Sequence, residues 1–541
     1  MTNLPILPGT ILASTLTVAA VVLGVLLPRR KLTALLLSAS TLAVHAALYW
    51  RFTVDDSFIT YRFARNWALG LGPIYQAGAR VLGFTSFAWT ALLAAAVRCG
   101  FDIDLAAKVL GLAFAILALP AVALLARRLT GSATAALVAP LALALHPLYA
   151  AWACAGMDTP MFAAVLAWAA WALASGRRVL RVLPLDALLF GLAIWVRPDG
   201  VLFAGVGLVC VALTPGPLRA RAAACLRWAG VLVATAAPLW LWQWSYYGRI
   251  LPNTYYAKLI PDSGRIETGL LWVVAFWVYS GFAWLGLLLI GLAREGLEGR
   301  TRLFLALASG ALFAWVAWAG GDVLSLRFAV HVLPLLSVGL AAGVAALVEV
   351  ATRLGKPARA PGPLALACAL VLAWSVLSLQ QDRVALLSRD QFGAAYVVGN
   401  ARNVEEVNLP LGRWLARNAP AGARLATWDI GAVGYYSRLP ILDLYGLTDT
   451  TLADMVHRGA PPIERMAYVE RLYPELMVTY MSGSGPVLAW MEAGRDWLST
   501  HYAFHSLWSA QTSGYRLALL TRTDVTLPPL EGEPRDSTRG P

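Results

Sequence analysis

"RFTVDDSFITYRFARNWALGLG" (residues 51–72) sets two carboxylates, Asp55 and Asp56, just after an apolar run that ends at Trp50. Another apolar stretch follows within a few dozen residues. Adjacent acids repel, and each raises the other's pKa, so a simple turn at the end of a membrane span gains nothing from the second. A site in which one carboxylate takes a proton while the other orients a ligand or metal does use both. The alternative is a hydrated helix-end turn at the interface, and the dipeptide alone leaves both readings open.

The surrounding runs decide the fold class. Of 541 residues, 59% are hydrophobic and only 13% charged, about half the charged share of an average soluble domain. Mean hydropathy is +0.65. Repeated apolar runs approach or exceed the roughly 20 residues that cross a bilayer, so the chain before about residue 380 reads as a polytopic membrane protein. The net charge of +13 does not indicate nucleic acid. Arg and Lys cluster in short segments between the runs, as cytoplasmic loops do, rather than on a basic soluble face. The five cysteines, Cys99, Cys154, Cys210, Cys225 and Cys368, lack metal-ligand spacing and indicate neither a disulfide framework nor redox chemistry. MTNLPILPG has no basic n-region, so the first run is expected to be a retained span.

The basic clusters fix an alternating topology of about 12 spans. Their expected bounds are about 9–28, 32–50, 105–126, 132–150, 159–175, 183–196, 200–214, 228–245, 268–292, 303–318, 328–350 and 363–380. In one orientation Arg29–Lys31, Arg127 and Arg128, Arg177, Arg178 and Arg181, Arg219, Arg221 and Arg227, Arg294, Arg300 and Arg302, and Arg353, Lys356 and Arg359 all fall inside. Asp55 and Asp56 then lie outside. The sixth and seventh spans are short enough to be broken or re-entrant, a backbone tolerated only where protein or a watery cavity covers it.

FITYRFARNWALG has helical periodicity, with Gly70 and Gly72 placed to end the helix. VLGFTSFAWTALLAAAV does not fit the parity as a span and reads as an interfacial helix. After residue 382 the sequence is ordinary globular sequence. EEVNLPLGRWLARNAP reads as a helix, while ARLATWD, LPILDLYG, PELMVTY and YRLALLTR read as strands of a small α/β domain. The final EGEPRDSTRGP has a disordered composition. The expected division is therefore 1–381, with a first outer loop at 51–104, then 382–530 and 531–541.

The other outer loops favour the functional reading of the paired acids. CAGMDTP carries Asp158, WVRPDG carries Arg197 and Asp199, and LPNTYYAK carries Asn253 and Lys258. GGDVLSLRFAVHVLP adds Asp322, Arg327 and His331. Such a mixture of acids, bases, Tyr and Asn is what a site gathered from several loops on one side of a helical scaffold contains. Each residue has a plainer alternative. Arg197 can pair with Asp199 at a broken helix, and Lys258 can snorkel to the interface. Arg327 can meet a lipid headgroup. Tyr61 and Arg65, one turn apart, can form a solvated helix face. Asp443 and Asp449 in the tail can cap a helix or hold a turn. His331, one turn beyond Arg327, makes a joint anion site more plausible. Trp50, Tyr246, Tyr247 and Tyr255 fit an interfacial aromatic belt.

DDSFITYRFARN followed by LGFTSFAW resembles the first outer loop of bacterial glycosyltransferases with the multi-span GT-C fold, and most of all the terminal arabinofuranosyltransferases of mycobacterial cell walls. GMDT, RPDG, YGRILPNTYYAK, GGD with RF downstream, and DIGAVGYYSRLPILDLYGLTD continue the resemblance in order from about residue 50 to 450. GMDT carries Asp158 where similar relatives more often carry Glu, and an extra span precedes the paired acids.

The resemblance implies an all-α polytopic GT-C membrane domain with a C-terminal α/β extracytoplasmic domain. It also implies transfer of a sugar from a polyprenyl-phosphate donor to a glycan, lipid or protein hydroxyl outside the plasma membrane. Asp55 is the first candidate base and Asp56 the second. Lys258, Arg327, His331 and Arg197 are candidates for the donor phosphate. Tyr61, Arg65, Asp158, Asn253, Asp322, Asp443 and Asp449 are candidates for substrate contact. No nucleotide-sugar site is required, and the need for a divalent cation is left open. Two rivals share the lipid-linked substrate: a transporter or flippase, which would favour an inverted repeat that is not visible here, and a ligase moving a whole glycan.

Overall fold

A computed structural model of the chain describes residues 31–179, 182–258, 264–322, 324, 326–354, 400–482, 485–487, 489–511 and 514–530. The expected first and last spans (about 9–28 and 363–380), the cluster at Arg29 and Arg30, the boundary near 381, and the tail 531–541 lie outside these residues.

Leu- and Ala-rich sequence, a strong helix former, makes the described part of 31–354 almost entirely helical. The helices are α1 (Lys31–Ala47), α2 (Asp55–Ala68), α3 (Phe87–Arg98), α4 (Ile103–Thr130), α5 (Ala133–Leu145), α6 (Pro147–Ala153), α7 (Thr159–Ser175) and α8 (Leu185–Val196). They continue with α9 (Gly200–Ala212), α10 (Leu218–Tyr247), α11 (Asn253–Lys258), α12 (Arg265–Ser280), α13 (Phe282–Ala293), α14 (Gly299–Ala319), α15 (Arg327–Val330) and α16 (Leu333–Leu354). Among the described residues four helices are long and apolar enough to cross a membrane, or up to six if each bent pair is one span. Five shorter apolar helices accompany them.

The expected span at 159–175 is α7, and the short spans at 183–196 and 200–214 are α8 and α9. Two expected spans are not straight. The one at 268–292 is broken at Gly281, which takes φ +83°, so that α12 and α13 meet at 94°. The one at 132–150 is broken before Pro147, with α5 and α6 at 65°, because a proline inside a helix disfavours helical backbone in the residue before it. VLGFTSFAWTALLAAAV contains α3, a 12-residue helix.

The tail is a mixed α/β unit. A π-helical turn (Val404–Asn408) runs into α17 (Leu409–Asn418), followed by β3 (Leu425–Thr427), α18 (Ala432–Ser437), β4 (Ile441–Asp443), α19 (Thr450–His457) and α20 (Pro462–Leu472). After these come β5 (Leu476–Ser482), β6 (Gly485–Val487), α21 (Arg495–His501), β7 (Tyr502–Ser509) and β8 (Arg516–Arg522); β1 and β2 form a small hairpin at Arg178–Val179 and Leu183–Pro184. The strand order is β4-β3-β5-β8-β7, with β6 on the end of β5. β3 runs parallel to β4 and β5, and β8 is antiparallel to β5 and β7. β7 is absent from the strands expected at 423–429, 439–446, 474–480 and 515–522; its bulge between Phe504 and Ser506 breaks the alternation that reveals a strand.

The tail docks on the segment after α1. Buried Arg62 donates to the carbonyls of Tyr75, Gly434 and Leu439 at 2.8, 2.7 and 2.8 Å. Gln76 exchanges two hydrogen bonds with the backbone of Ile441. Asn253 donates to the Gly446 carbonyl at 2.6 Å, and Arg249 pairs with Asp454 at 2.6 Å. These contacts bring the loop after β4 over Asp56 and Lys258 of the helical part.

Candidate active site

Asp55 and Asp56 form the first turn of α2, where the helix dipole favours negative charge. They then diverge. Asp55 turns to the tail: Oδ1 accepts from the Ala432 amide at 2.9 Å and Asn408 Nδ2 at 3.1 Å, and Oδ2 accepts from the Gly431 amide at 3.1 Å. A Cβ on Gly431 would stand 2.1 Å from Asp55, so only glycine admits this approach. Burial raises the Asp55 carboxyl well above the ordinary range, and the charge of Asp429 adds to the rise. Asp429 is itself raised by burial, although Tyr480 and Tyr515 both donate to it. A second carboxylate beside Asp55 thus comes from the tail, within DIGAVGYYS, in addition to its sequence neighbour.

Asp56 accepts no hydrogen bond and forms no ion pair among the described residues. Its side chain lies where two cavities meet. The larger, about 440 Å³, is walled by Arg197, Asp199, Asp322, Arg327, Trp272, Trp315 and Tyr255. The smaller, about 300 Å³, is walled by Asp55, Asn403, Asn408, Trp428, Asp429, Tyr480 and Tyr515. Asp56, Ile59, Lys258, Leu324, Tyr445 and Leu447 line both. PILDLYGLTD therefore reaches the cavities through Tyr445 and Leu447.

The two guanidiniums of the larger cavity flank Phe328, at 5.6 Å (Arg197) and 5.1 Å (Arg327) from its ring centre. Arg197 is neutralised: it pairs with Asp158 at 3.0 Å and with Asp199 at 2.8 Å, tying GMDT to RPDG. Arg327 is almost fully buried and has no carboxylate partner among the described residues. Its Nη1 reaches only Met157 Sδ at 3.5 Å, and its Nε has no partner. A buried cation with no counter-ion is costly, and an anionic ligand would offset that cost. Lys258 is exposed, with its Nζ 6.0 Å from the Tyr445 ring.

The other expected residues are placed as follows. His331 is fully buried between Phe162 and Phe328, at 4.8 and 5.8 Å, and lines neither cavity; both its ring nitrogens lack a partner. Asp322 borders the larger cavity, but its oxygens accept from the Leu324 and Phe328 amides. Tyr61 donates to Asp104 at 3.1 Å, and Arg65 to the Tyr435 carbonyl at 3.0 Å, both away from the cavities. Asp443 accepts from the amides of Tyr445, Gly446 and Thr448 and from the Thr448 hydroxyl, with burial pushing its carboxyl up to about 6. Asp449 caps α19 and accepts from Tyr468. Asn253 bridges to the tail backbone. Asn408, Asp429, Trp428 and Tyr480 were not singled out from the sequence. Their signals were the polar and aromatic content of VEEVN, ATWDIG and PELMVTY, and for Asp429 its place at the head of DIGAVGYYS.

Residues 399–527 match the model of a Domain of unknown function (DUF8728). Over 223 residues the chain is 30% identical to the "Terminal beta-(1->2)-arabinofuranosyltransferase" of Mycobacterium tuberculosis, covering 38% of this chain and 35% of that protein. The chain thus spans about a third of the length of that curated relative. ArnT from Cupriavidus metallidurans, solved bound to undecaprenyl phosphate, superposes with a TM-score of 0.53 at 13% identity over 90% of this chain and 98% of its own. The archaeal oligosaccharyltransferase AglB from Archaeoglobus fulgidus, solved with an inhibitory peptide and a dolichol-phosphate, gives 0.57 at 11% identity over 94% and 75%. The chain has the GT-C fold of these membrane glycosyltransferases.

Proposed function

We propose that the chain is an integral membrane glycosyltransferase that moves a sugar from a polyprenyl-phosphate donor to an extracytoplasmic hydroxyl with inversion, and that Asp56 is the general base. The observation that carries the assignment is the contrast between the two acids: three donors occupy Asp55, whereas Asp56 is unengaged at the junction of two cavities. The donor phosphate lies in the larger cavity against Arg327 and Lys258, with Trp272 and Trp315 offering apolar surface to the first isoprene units. The acceptor enters the smaller cavity. Asp56 takes the proton of the acceptor hydroxyl as its oxygen attacks the anomeric carbon. The carbon–phosphate oxygen bond breaks, and polyprenyl phosphate leaves with the electron pair. Arg327 and Lys258 stabilise the charge that develops there.

The partial likeness to an arabinofuranosyltransferase favours an arabinofuranose donor. The same reading places the site and tail outside the plasma membrane and keeps the topology of about 12 spans. A divalent cation does not fit these residues by themselves. Among the described residues no three His, Cys, Asp or Glu are placed to hold one metal ion, and the oxygens of Asp55 and Asp322 are taken by amide donors. No step is routed through a metal.

The test is transfer of radiolabelled sugar from polyprenyl-phosphate donors by detergent-purified protein, with and without EDTA. Transfer that survives chelation supports the reading. Movement of lipid-linked sugar across vesicles without any transfer would replace it with a transporter.

A further inference from the structure

The end of the bundle remote from Asp56 carries a second concave site, which the proposed reaction does not use. Three helices show that it is remote. α7 starts beside Asp158 and ends beside this pocket, about 25 Å away at 1.5 Å per residue over its 17 residues. α14 starts at the pocket with Arg300 and ends at the larger cavity with Ala319. α8 runs from Asp186 in the pocket wall to Val196, next to Arg197 in the cavity wall.

The pocket holds about 270 Å³, and Arg177, Arg178, Arg221, Arg227 and Arg300 converge on it from the hairpin segment after α7, from α10 and from α14. One carboxylate, Asp186, opposes five guanidiniums, and its Oδ2 is engaged by Trp228 Nε1 at 2.7 Å. Two of the cations are braced: Arg221 donates to the Ala212 carbonyl at 2.7 Å, and Arg300 to the Leu173 carbonyl and the Thr214 hydroxyl at 3.3 and 3.1 Å. Braced in this way on neutral acceptors, neither forms an ion pair among the described residues. The guanidiniums of Arg178 and Arg227 have no hydrogen-bond or ion-pair partner among the described residues.

Arginines that merely snorkel to bulk headgroups would point apart along the rim. Here they share a concave wall, and its floor includes the buried ring of Trp228. Val182 in the wall and Leu213 and Leu226 next to wall residues are 59%, 58% and 75% exposed. Exposed apolar side chains beside clustered guanidiniums suit an anionic headgroup whose acyl chains lie along the helices.

We propose that this pocket is a second phosphate-binding site, holding the phosphate of an anionic lipid between Arg178 and Arg227 over the braced pair Arg221 and Arg300. It goes beyond the transfer reaction, because the donor phosphate and the acceptor are placed in the two cavities that meet at Asp56, which share no lining residue with this pocket.

The experiment is thermal unfolding of the full purified chain in neutral detergent. Phosphatidylglycerol is added in one arm and inorganic phosphate at matched ionic strength in another. Wild type is expected to gain about 2–5 °C from phosphatidylglycerol, and Arg178→Gln with Arg227→Gln should abolish that gain. The control pair Arg127→Gln and Arg219→Gln sits at the same end without lining the pocket and should retain it. A gain with lipid alone identifies a headgroup as the source. An equal gain with inorganic phosphate keeps the site and shows that free phosphate suffices. An undiminished gain in the pocket variant, or equal loss in the control pair, overturns the proposal.

Discussion

The two cavities that meet at Asp56 are built from opposite materials. The larger is walled by membrane helices and carries guanidiniums. The smaller is walled by the tail and carries aromatic rings, amides and carboxyls, with Lys258 at the junction as its cation among the described lining residues. A leaving phosphate needs fixed positive charge, whereas an incoming hydroxyl on a neutral molecule needs shape, stacking surface and hydrogen bonds. The difference assigns donor to one side and acceptor to the other, and it gives the single acid between them a reason to be unengaged.

The largest effect is expected at Arg197. Its charge is matched by Asp158 and Asp199, so Arg197→Ala strands a buried carboxylate and should destabilise the chain by about 3–5 kcal/mol, read as a fall in melting temperature. Arg327→Leu should behave in the opposite sense. It removes an unpaired buried cation, so the melting temperature should hold or rise, while turnover drops about 10²–10³-fold. If both variants unfold alike, the distinction between a structural and a phosphate-binding arginine fails. On the acceptor side, Trp428→Ala should raise acceptor KM about tenfold, equivalent to ~1.4 kcal/mol, and leave donor KM unchanged. A change confined to donor KM would reverse the assignment of the cavities.

The smallest effect is on pH. Asp443 is raised by burial to about 6, and Asp55 and Asp429 are raised by burial too. Each holds its proton in the folded state above the ordinary carboxylate value of about 4. Stability is therefore full below that value and is lost as pH rises toward the folded-state values. Melting temperature should fall between pH 5 and pH 8, with a shallower slope in Asp55→Asn. A flat or rising profile in wild type would contradict the burial of these groups.

Much of the helical scaffold was legible because long apolar runs and basic clusters are properties of contiguous sequence. The 17 residues of α7 coincide with an expected span for that reason. Gly281 and Pro147 were visible as letters, but the 94° and 65° bends they permit depend on what packs around them. The site was legible in part. Asp56, Lys258, Arg197 and Arg327 were all named, but Asp55 ranked ahead of Asp56 as the base and nothing local separated the two arginines. Asp55 is set apart from Asp56 by amides 376 and 377 residues away in sequence, and Arg327 from Arg197 by two acids that choose one guanidinium over the other. Asp429 was passed over because ATWD reads locally as the end of a strand. Asp443 and Asp449 lie in a loop that does reach the cavities, but they hold its turns while Tyr445 and Leu447 line the walls.

The most direct test compares Asp55→Asn and Asp56→Asn side by side in sugar transfer from a polyprenyl-phosphate donor, with donor binding measured on the same preparations. Asp56→Asn is expected to bind donor normally and to lose about 10²–10⁴-fold in turnover, the range for a general base. Asp55→Asn should keep most of its turnover and show a loosened tail, read as faster proteolysis after α17. A folded Asp55→Asn protein that binds donor and is inactive, beside an active Asp56→Asn protein, would contradict the assignment of Asp56 as the base.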